Sequence, residues 1–270
     1  MVPVSIVIIT KNEAALIAHC LEMALLITDD IVIVDNGSTD ETLNIVKQYG
    51  CRFYHKNWGG YGANKNKGIE LARYNWILSI DADEVPDMEL VLALYDLDLR
   101  DPNIVYDIKF RSFFGKKLIR HGSWGRDHHL RLFNRTLVKW SEPEVHETLI
   151  LPADIQIKKL TGNINHYSVQ NINECNSKAI HYARLSAKQY MISGKKATFS
   201  KLYFSAAFGF VKNYLFRLGF LDGAEGFNIA LMIYKNTRLK YAYLKLCEKG
   251  EFIADNSQVK SNNLIVELTN

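Results

Sequence analysis

Two aspartates separated by one residue, Asp81 and Asp83, are the first side chains of this sequence with an evident chemical use. Where the chain turns between them, one carboxylate can contact a nucleotide while the other holds a hard divalent cation such as Mg²⁺ or Mn²⁺. Such a cation would stabilise the charge that grows on a diphosphate as its bond to a sugar breaks. The same tripeptide also occurs in solvated surface turns, so its place in the fold has to decide between the two interpretations.

A third aspartate, Asp35, begins the segment Asp-Asn-Gly-Ser-Thr-Asp after another hydrophobic run. Its carboxylate could accept hydrogen bonds from a nucleobase or a ribose. Alternatively, Asp35 makes the turn, and Ser38 or Thr39 caps the helix that follows, with Asp40 and Glu41 in its first turn. The two roles are compatible, because the residues after Asp35 supply the cap.

Short hydrophobic strands should position these aspartates. Residues 4–10, 31–34, 51–55 and 76–80 are typical of strands, and residues 13–26 and 63–73 carry apolar residues at helical spacing. Strands that alternate with helices through short connections predict a parallel, doubly wound sheet. Ligands of such sheets bind at the carboxyl ends of the strands, where Asp35, Asp81 and Asp83 all fall.

The pattern changes after residue 104, with strand-like segments at 105–110, 129–133 and 155–160. From residue 171 onward it becomes helical, at 174–193, 199–217 and 227–246. We therefore predict one domain over residues 1–170, a helical, basic extension over residues 171–250 and a loose tail over residues 251–270.

The chain contains four motifs, VSIVIITKNEA, IVIVDNGSTDET, GYGANKNKGIELA and WILSIDADE. Their order and spacing are those of family 2 glycosyltransferases, which the chain resembles over about its first ninety residues. The later segments SWGRDHHLRLFNR, EPEVHE and NHYS are similar to the branch that includes lipopolysaccharide core glucosyltransferases. The resemblance implies the GT-A fold, an α/β architecture with a doubly wound mixed sheet. It further implies that residues 1–170 are the catalytic domain, in which residues 1–100 bind the nucleotide and residues 101–170 the acceptor.

The resemblance also implies a nucleotide-sugar site at the strand ends. Asp35 would bind the base or the ribose, Asp81 would contact the ribose and Asp83 would hold the metal. The other residues that would line the base pocket or lie near the nucleotide are Thr10, Asn12, Glu13, Lys65 and Asn66.

Family members invert the anomeric configuration, so a general base should deprotonate the acceptor hydroxyl as it attacks the anomeric carbon. No covalent sugar–enzyme intermediate would be needed. The candidates for the base are Glu144, His146 and Glu147, and the pattern of the branch favours Glu147. Alternatively, one or two of them form ion pairs with nearby arginines.

Three further residues are candidates for the same site. His166 could be an additional metal ligand, although a lone histidine is more often structural. Arg126 and Arg131 could contact the diphosphate, because planar guanidinium groups suit phosphate oxygens. One of the two arginines is better explained as a surface or acceptor-side residue.

Other kinds of site find little support. A zinc site at His128 and His129, beside Asp127, is not predicted, because the sequence has no second group of histidines or cysteines at the spacing of zinc ligands. The first strand opens onto Lys-Asn-Glu without a glycine, which argues against a dinucleotide site. The four cysteines are scattered without a close pair, which fits a reducing compartment.

Basic residues are concentrated near the C-terminus. Residues 178–250 contain 13 basic and 3 acidic side chains, whereas residues 1–177 contain 19 and 23. In the helical stretch 199–217, Lys201 and Lys212 project to nearly the same side, and the rest is rich in aromatic residues. We predict that this helix lies on an anionic membrane surface, since packing on the catalytic domain does not explain the charge. Nucleic acid is not a predicted partner, because no binding module accompanies the charge.

No uncharged apolar segment approaches the ~20 residues of a membrane-spanning helix, and the N-terminus lacks the basic region of a signal peptide. The sequence therefore predicts a cytoplasmic protein that is peripheral on the inner (cytoplasmic) membrane face.

The candidate residues and the resemblance to family 2 together imply a metal-dependent, inverting hexosyltransferase. It would use a nucleotide-diphosphate sugar, with UDP-glucose as one example, and a lipid-linked glycan acceptor such as lipopolysaccharide core. A sugar-phosphate nucleotidyltransferase is one alternative, but the first βα turn lacks the glycine- and arginine-rich loop of that class. The other alternative is a catalytically vestigial membrane scaffold, against which the three aspartates argue.

Overall fold

The computed structural model describes residues 1–142 and 147–250, and these residues form two compact units. The first unit consists of Met1–Ser112 and Asp127–Ser168. The second unit consists of Phe113–Arg126 and residues 169–250.

The first unit is built on a mixed sheet. Its strands are β1 (Val4–Thr10), β2 (Ile31–Asp35), β3 (Arg52–His55), β4 (Trp76–Asp81), β5 (Glu84–Pro86), β6 (Ile104–Phe114), β8 (His128–Asn134) and β11 (Gln156–Val169). Their order is β3-β2-β1-β4-β8-β6-β11-β5. Pairing is parallel from β3 to β4 and antiparallel where β4 meets β8, β8 meets β6 and β11 meets β5. The α/β architecture and mixed sheet of the GT-A fold are thus confirmed.

Helices cover both faces of the parallel half of the sheet. They are α1 (Ile17–Ile27), α2 (Thr42–Gln48), α3 (Tyr61–Leu71) and α4 (Met88–Tyr95). Every residue of β1 is buried, and its alternate side chains enter two different cores. Ile6 and Ile8 pack in the core that contains α1, whereas Val7 packs in the core that contains Ile69 of α3. Burial on both faces explains why β1 is a continuous hydrophobic run without alternation.

Helix α3 approaches the sheet closely, and a glycine makes this possible. A Cβ atom at Gly68 would lie 2.3 Å from Cγ1 of Val7 in β1. Real side chains do not tolerate such a distance, so only glycine fits at this position. The close approach fixes the height of α3 above the sheet and therefore the position of the polar residues one turn earlier.

Asp30, just before β2, is a buried charge that stabilises the amino-terminal edge of the sheet. Its carboxylate accepts hydrogen bonds from the Ser5 hydroxyl and from the Arg73 N–H (2.7 Å), and it pairs with Arg52. Burial raises the pKa of Asp30, but the hydrogen bonds from Ser5 and Arg73 and the charge of Arg52 outweigh it and lower the pKa below its ordinary value. The carboxylate is therefore ionised in the folded protein at neutral pH.

We expect Asp30→Asn to reduce the free energy of unfolding by about 3 kcal/mol at neutral pH, because it leaves buried donors and a cation without their anion. A lowered pKa in the folded state stabilises the protein above the unfolded pKa, and this contribution is lost as the pH falls. The difference between wild type and variant should therefore shrink towards about pH 3 in urea unfolding experiments. Asp29→Asn is the control, since Asp29 is half-exposed in its ion pair with Arg73 and should contribute under about 1 kcal/mol. Equal stability of wild type and Asp30→Asn at neutral pH would contradict the assignment.

The second unit is mainly helical. Its elements are β7 (Lys117–Leu118), α5 (Ile172–Ile192), α6 (Phe199–Val211) and α7 (Gly223–Glu248), with a π-helical turn at Lys212–Phe216 and a 3₁₀ turn at Gly219–Asp222. Ala183 and Ala187 of α5 pack against Leu239 and Tyr243 of α7. The three helical stretches expected from the sequence are present, although the second leaves α-helical geometry at Lys212. Among the described residues, no helix is both long enough and apolar enough to cross a membrane.

Candidate active site

The carboxyl ends of β1, β2 and β4 bring three candidate residues to one edge of the sheet. Strand β1 lies between β2 and β4, and the parallel register places Thr10 beside Asp35 and Ile9 beside Asp81. Parallel strands end at a common edge, so Asp35 and Asp81 come together although 46 positions separate their numbers in the chain. Both aspartates lie where the sequence places them.

The Asp35 carboxylate organises the turn that follows β2. It is almost fully buried and accepts hydrogen bonds from the N–H groups of Gly37 (3.0 Å) and Ser38 (3.2 Å), with Nδ1 of His55 at 3.3 Å. Burial raises the pKa of Asp35, but the hydrogen bonds from Ser38 and Gly37 outweigh it and lower the pKa below its ordinary value. The structure therefore shows the turn-making role, and contact with a base or ribose remains a prediction.

The expectation that Ser38 or Thr39 caps α2 is wrong. Helix α2 begins at Thr42, with Glu41 at the N-cap position and no capping hydrogen bond from its side chain. Ser38 Oγ instead accepts the N–H of Asn12 (2.9 Å), and Asn12 Oδ1 accepts the N–H of Thr39 (2.7 Å). These bonds tie the loop after β1 to the loop after β2. They join residues that are 26 or 27 positions apart in the chain. A capping pattern, which considers only neighbouring residues, cannot predict such bonds.

The three residues expected in the base pocket lie at the end of β1 (Thr10) and in the loop that follows it (Asn12 and Glu13). Thr10 is buried at the end of β1, and its hydroxyl has no hydrogen-bond partner within the described part of the chain. Asn12 has a positive φ of 56° and is exposed, and the Glu13 N–H donates to Oγ1 of Thr42 (2.8 Å). The hydroxyl of Thr10 is therefore a buried group for which a ligand could provide a partner.

Lys65 of α3 is the central cation of the site. Its side chain is only 2% exposed, and its Nζ lies 3.2 Å from Oδ1 of Asp81 and 3.0 Å from Oε1 of Glu147. The Nζ also lies 4.7 Å from the centre of the Trp140 ring, within reach of a cation–π interaction. One buried ammonium group thus holds a carboxylate from the end of β4 and the carboxylate that the sequence favours as general base.

Asn66 and Gly62 fix α3 to the segment that leads to Glu147. The Asn66 side chain accepts the N–H of Trp140 (3.0 Å) and donates to the Trp140 carbonyl (3.0 Å) and to Glu142 (2.9 Å). A Cβ atom at Gly62 would lie 1.9 Å from the carbonyl oxygen of Ser141, so glycine is required there. Strand β9 (Lys139–Trp140) and its partner β10 (Leu149–Ile150) form a small sheet beside this contact. Asn66 therefore has a structural role, and its expected place near the nucleotide remains a prediction.

Glu84 is a residue of the site that sequence analysis missed. It is buried, its Oε2 accepts the N–H of Asp81 (3.0 Å), and its Oε1 pairs with Arg131 of β8. Burial raises the pKa of Glu84 above its ordinary value, against the opposing charge of Arg131. Burial also raises the pKa of Asp81, but Lys65 and Arg131 outweigh it and lower that pKa. Asp81 is thus held ionised between two cations.

Arg131 serves this same network. It is buried, its guanidinium lies 3.9 Å from Oδ2 of Asp81, and it stacks near the ring of Phe110 (5.2 Å). The signal for the pair was present in the sequence, as an acidic residue directly after Asp81-Ala82-Asp83 and an arginine inside a hydrophobic strand. A contact of Arg131 with a diphosphate remains a prediction, since its shortest bond goes to Glu84.

Asp83 and His166 meet through the pairing of β11 with β5. The register places His166 opposite Glu84, and the Tyr167 N–H donates to the carbonyl of Asp83 (3.0 Å). His166 Nε2 then lies 3.5 Å from Oδ2 of Asp83, while Nδ1 lies 3.0 Å from the Ser168 hydroxyl. Burial lowers the pKa of His166, but Asp83 and the neighbouring carboxylates raise it more, to about 9.

The chemistry of this pair fits a divalent cation. A carboxylate oxygen and an imidazole nitrogen converge, both side chains are partly accessible, and a hydrogen bond between Ser168 and the second nitrogen orients the ring. No group of three or more potential ligands occurs among the described residues. A site with two protein ligands suits a cation that takes its remaining ligands from water and phosphate oxygens.

The remaining candidates belong to other parts of the chain or are not described. Arg126 is exposed on a 3₁₀ turn of the second unit, so its role is still a prediction. Glu144 and His146 lie outside the described residues. His128 and His129 face Asp107 (3.4 Å) and Asp127 (3.1 Å) respectively, in two separate pairs.

Comparison with known proteins places the chain among glycosyltransferases. Residues 5–150 match the family described as Glycosyl transferase family 2. An uncharacterized glycosyltransferase of Rickettsia typhi is 29% identical, over 98% of this chain and 91% of the relative. The lipopolysaccharide core biosynthesis glycosyltransferase LpsC of Rhizobium meliloti is 31% identical, over 90% of both chains. The crystal structure of TarS from S. aureus is 15% identical, with 92% of each chain covered and a TM-score of 0.47.

Proposed function

This chain belongs to glycosyl transferase family 2, and from that premise we propose that it transfers a hexose with inversion from a nucleotide-diphosphate sugar to a lipid-linked glycan. The donor that we favour is a UDP-sugar such as UDP-glucose, and the acceptor class is lipopolysaccharide core. The relative LpsC, named for lipopolysaccharide core biosynthesis, supports the acceptor class. An acceptor of this kind would place the enzyme on the cytoplasmic face of the inner membrane.

The observation that carries the proposal is the double ion pair of Lys65. It joins Asp81, at the strand end where a donor nucleotide would bind, to Glu147, the favoured base, through one buried cation. Charged groups this deeply buried need partners, and here each partner has a task in the reaction. A donor ribose at Asp81 and an acceptor hydroxyl at Glu147 would thus both lie close to Lys65.

In the proposed reaction, the acceptor oxygen attacks the anomeric carbon while the bond from that carbon to the diphosphate breaks. The diphosphate leaves with the electron pair, and the acceptor proton passes to the carboxylate of Glu147. Lys65 holds this carboxylate in place, and Asp81 contacts the ribose. Asp35 and the loop residues Asn12 and Glu13 bind the nucleobase of the donor.

Asp83 and His166 are the residues that would hold a divalent cation, Mg²⁺ or Mn²⁺. When bound, such a cation stabilises negative charge on the diphosphate. The carboxylate, the imidazole and the Ser168 hydroxyl behind the ring support this assignment. Backbone pairing between β11 and β5 keeps the two side chains together.

The two alternatives from the sequence lead to different donor responses. Membership of family 2 argues against a sugar-phosphate nucleotidyltransferase. The residues after β1, where that class carries its phosphate loop, are instead bonded to the loop after β2. A vestigial scaffold would keep the fold but respond to no donor.

A donor screen tests the proposal. Purified protein would be incubated with UDP-, GDP- and dTDP-sugars in the presence of Mn²⁺ or EDTA, and thermal stabilisation and sugar release would be recorded. We expect one UDP-sugar to stabilise the protein and to be slowly hydrolysed only with metal. At a donor concentration of about 100 times the dissociation constant, binding adds roughly 2.7 kcal/mol to the free energy of unfolding. Nucleotide exchange onto a sugar phosphate, or no response to any donor, would overturn the proposal.

A further inference from the structure

Helix α6 and the two turns after it present an apolar surface to solvent. Six large side chains on these elements are between 52% and 72% exposed, and we call them the α6 surface: Phe199, Phe204, Phe208, Leu215, Phe216 and Leu221. Single exposed apolar residues are common on proteins, but a group of this size on neighbouring elements indicates an interaction site.

The exposed residues of α6 form a true helix face. Phe204 and Phe208 are one turn apart, and Leu202 and Ala206, on the other side of the helix, are buried. No charged residue occurs between Lys201 and Lys212, so the exposed face of α6 has no ionic group over nearly three turns. A helix in water normally turns a polar side outward, whereas α6 exposes large apolar side chains as well as burying Leu202 and Ala206.

Aromatic packing connects α6 to the turns that carry the rest of the surface. The ring of Phe210 lies 5.5 Å from that of Tyr214 and 5.8 Å from that of Phe227. Tyr214 in turn contacts Phe220 at 6.3 Å. The cluster therefore joins α6 to both turns and to α7 within the second unit.

The charge around the patch has one sign. Residues 178–221 contain eight lysines and arginines and no aspartate or glutamate. Lys195, Lys196 and Lys201 precede or begin α6, and Lys212 and Arg217 follow it. The surface therefore combines exposed aromatic side chains with a rim of cations.

From this combination we infer that the α6 surface docks on an anionic lipid bilayer, with the aromatic side chains in the interface and the lysines near the headgroups. A second copy of the chain is a poorer occupant, because it would bring eight further cations against the first eight. Docking of this kind is peripheral, in keeping with the lack of a spanning helix among the described residues. The inference goes beyond the proposed reaction, since lipid binding needs neither donor nor acceptor.

Cosedimentation of the full chain with vesicles tests the inference. One set of vesicles would contain equal amounts of phosphatidylglycerol and phosphatidylcholine, and the other phosphatidylcholine alone. We expect binding to the anionic vesicles that falls with added salt, and at least about tenfold weaker binding to the neutral ones. Lys201→Gln combined with Lys212→Gln should weaken binding about twenty-five-fold, at roughly fivefold for each lysine. Phe204→Ser combined with Phe208→Ser should weaken it at least about tenfold.

Leu92→Ser is the matched control, because Leu92 lies on α4 of the first unit and is 59% exposed, the same as Phe208. This variant should bind vesicles as the wild type does. Lack of binding to anionic vesicles, or equal effects of the Leu92 and Phe204/Phe208 changes, would overturn the inference. So would a dimer in solution that the Phe204/Phe208 variant converts to monomer, since the occupant would then be a second copy. Donor-induced stabilisation, measured without lipid, reports on the proposed reaction separately.

Discussion

Replacing Asp83 with asparagine is expected to lower kcat/KM for sugar transfer by about a thousandfold, or about 4 kcal/mol of transition-state stabilisation. Asparagine preserves the size of the side chain and can still contact His166, so the pairing of β11 with β5 should remain. The variant loses the negative charge that would hold a divalent cation. Stabilisation by UDP-sugar with Mn²⁺ should therefore fall to the level that the wild type shows in EDTA, which calorimetry or a thermal shift would measure.

Two variants make this result specific. His166→Gln should lower kcat/KM about tenfold to a hundredfold, because it removes the second proposed ligand but leaves the charge of Asp83. Glu70→Gln, on the exposed side of α3 with a side chain 66% exposed, should leave both activity and metal-dependent donor binding unchanged. If Asp83→Asn binds the donor as tightly as the wild type and with the same dependence on Mn²⁺, Asp83 is not a metal ligand.

The parallel half of the fold follows directly from local sequence pattern. The runs at residues 4–10, 31–34 and 76–80 became β1, β2 and β4 within one residue at each end. Strands buried on both faces carry a strong signal, because nearly every residue in them is apolar. The aspartates that end β2 and β4 could be assigned to one edge for the same reason, since parallel strands finish together.

The local sequence pattern did not predict the contacts between segments that are distant in the chain. The cap predicted for α2 was wrong because Ser38 and Thr39 bond to the loop after β1 instead. Glu84 went unrecognised because its partner Arg131 lies 47 positions away in an antiparallel strand. Polar residues whose partners are remote in sequence show no periodicity, and only the sheet register brings them together.

Lys65 illustrates the same point for the site itself. The resemblance to family 2 places this residue near the nucleotide, but its contact with Glu147 crosses 82 positions. The contact depends on Gly62, which lets α3 approach Ser141, and on the three hydrogen bonds of Asn66. Gly62 and Asn66 of the motif GYGANKNKG therefore support the ion pair, a role that the motif by itself does not predict.

Replacing Glu147 with glutamine is expected to lower kcat by about a thousandfold, within the range that general-base catalysis contributes, while donor binding stays close to that of the wild type. Glutamine keeps the size of the side chain, and its carbonyl oxygen can still accept a hydrogen bond from Lys65, so the fold around Trp140 should be retained. It cannot accept the proton of the acceptor hydroxyl. The loss should therefore appear in kcat and in single-turnover rates, whereas metal-dependent stabilisation by the donor should survive, in contrast to Asp83→Asn.

The neighbouring carboxylates separate this role from a general loss of negative charge. Glu142→Gln removes an exposed carboxylate that accepts a hydrogen bond from Asn66, so it should keep nearly full activity. Glu144→Gln tests the competing base, which lies outside the described residues. If Glu144→Gln abolishes transfer and Glu147→Gln does not, Glu144 is the base, and the Lys65–Glu147 pair is structural. The opposite result would place proton removal at the carboxylate that Lys65 connects to Asp81, so that one buried cation positions both the donor side and the acceptor side of the reaction.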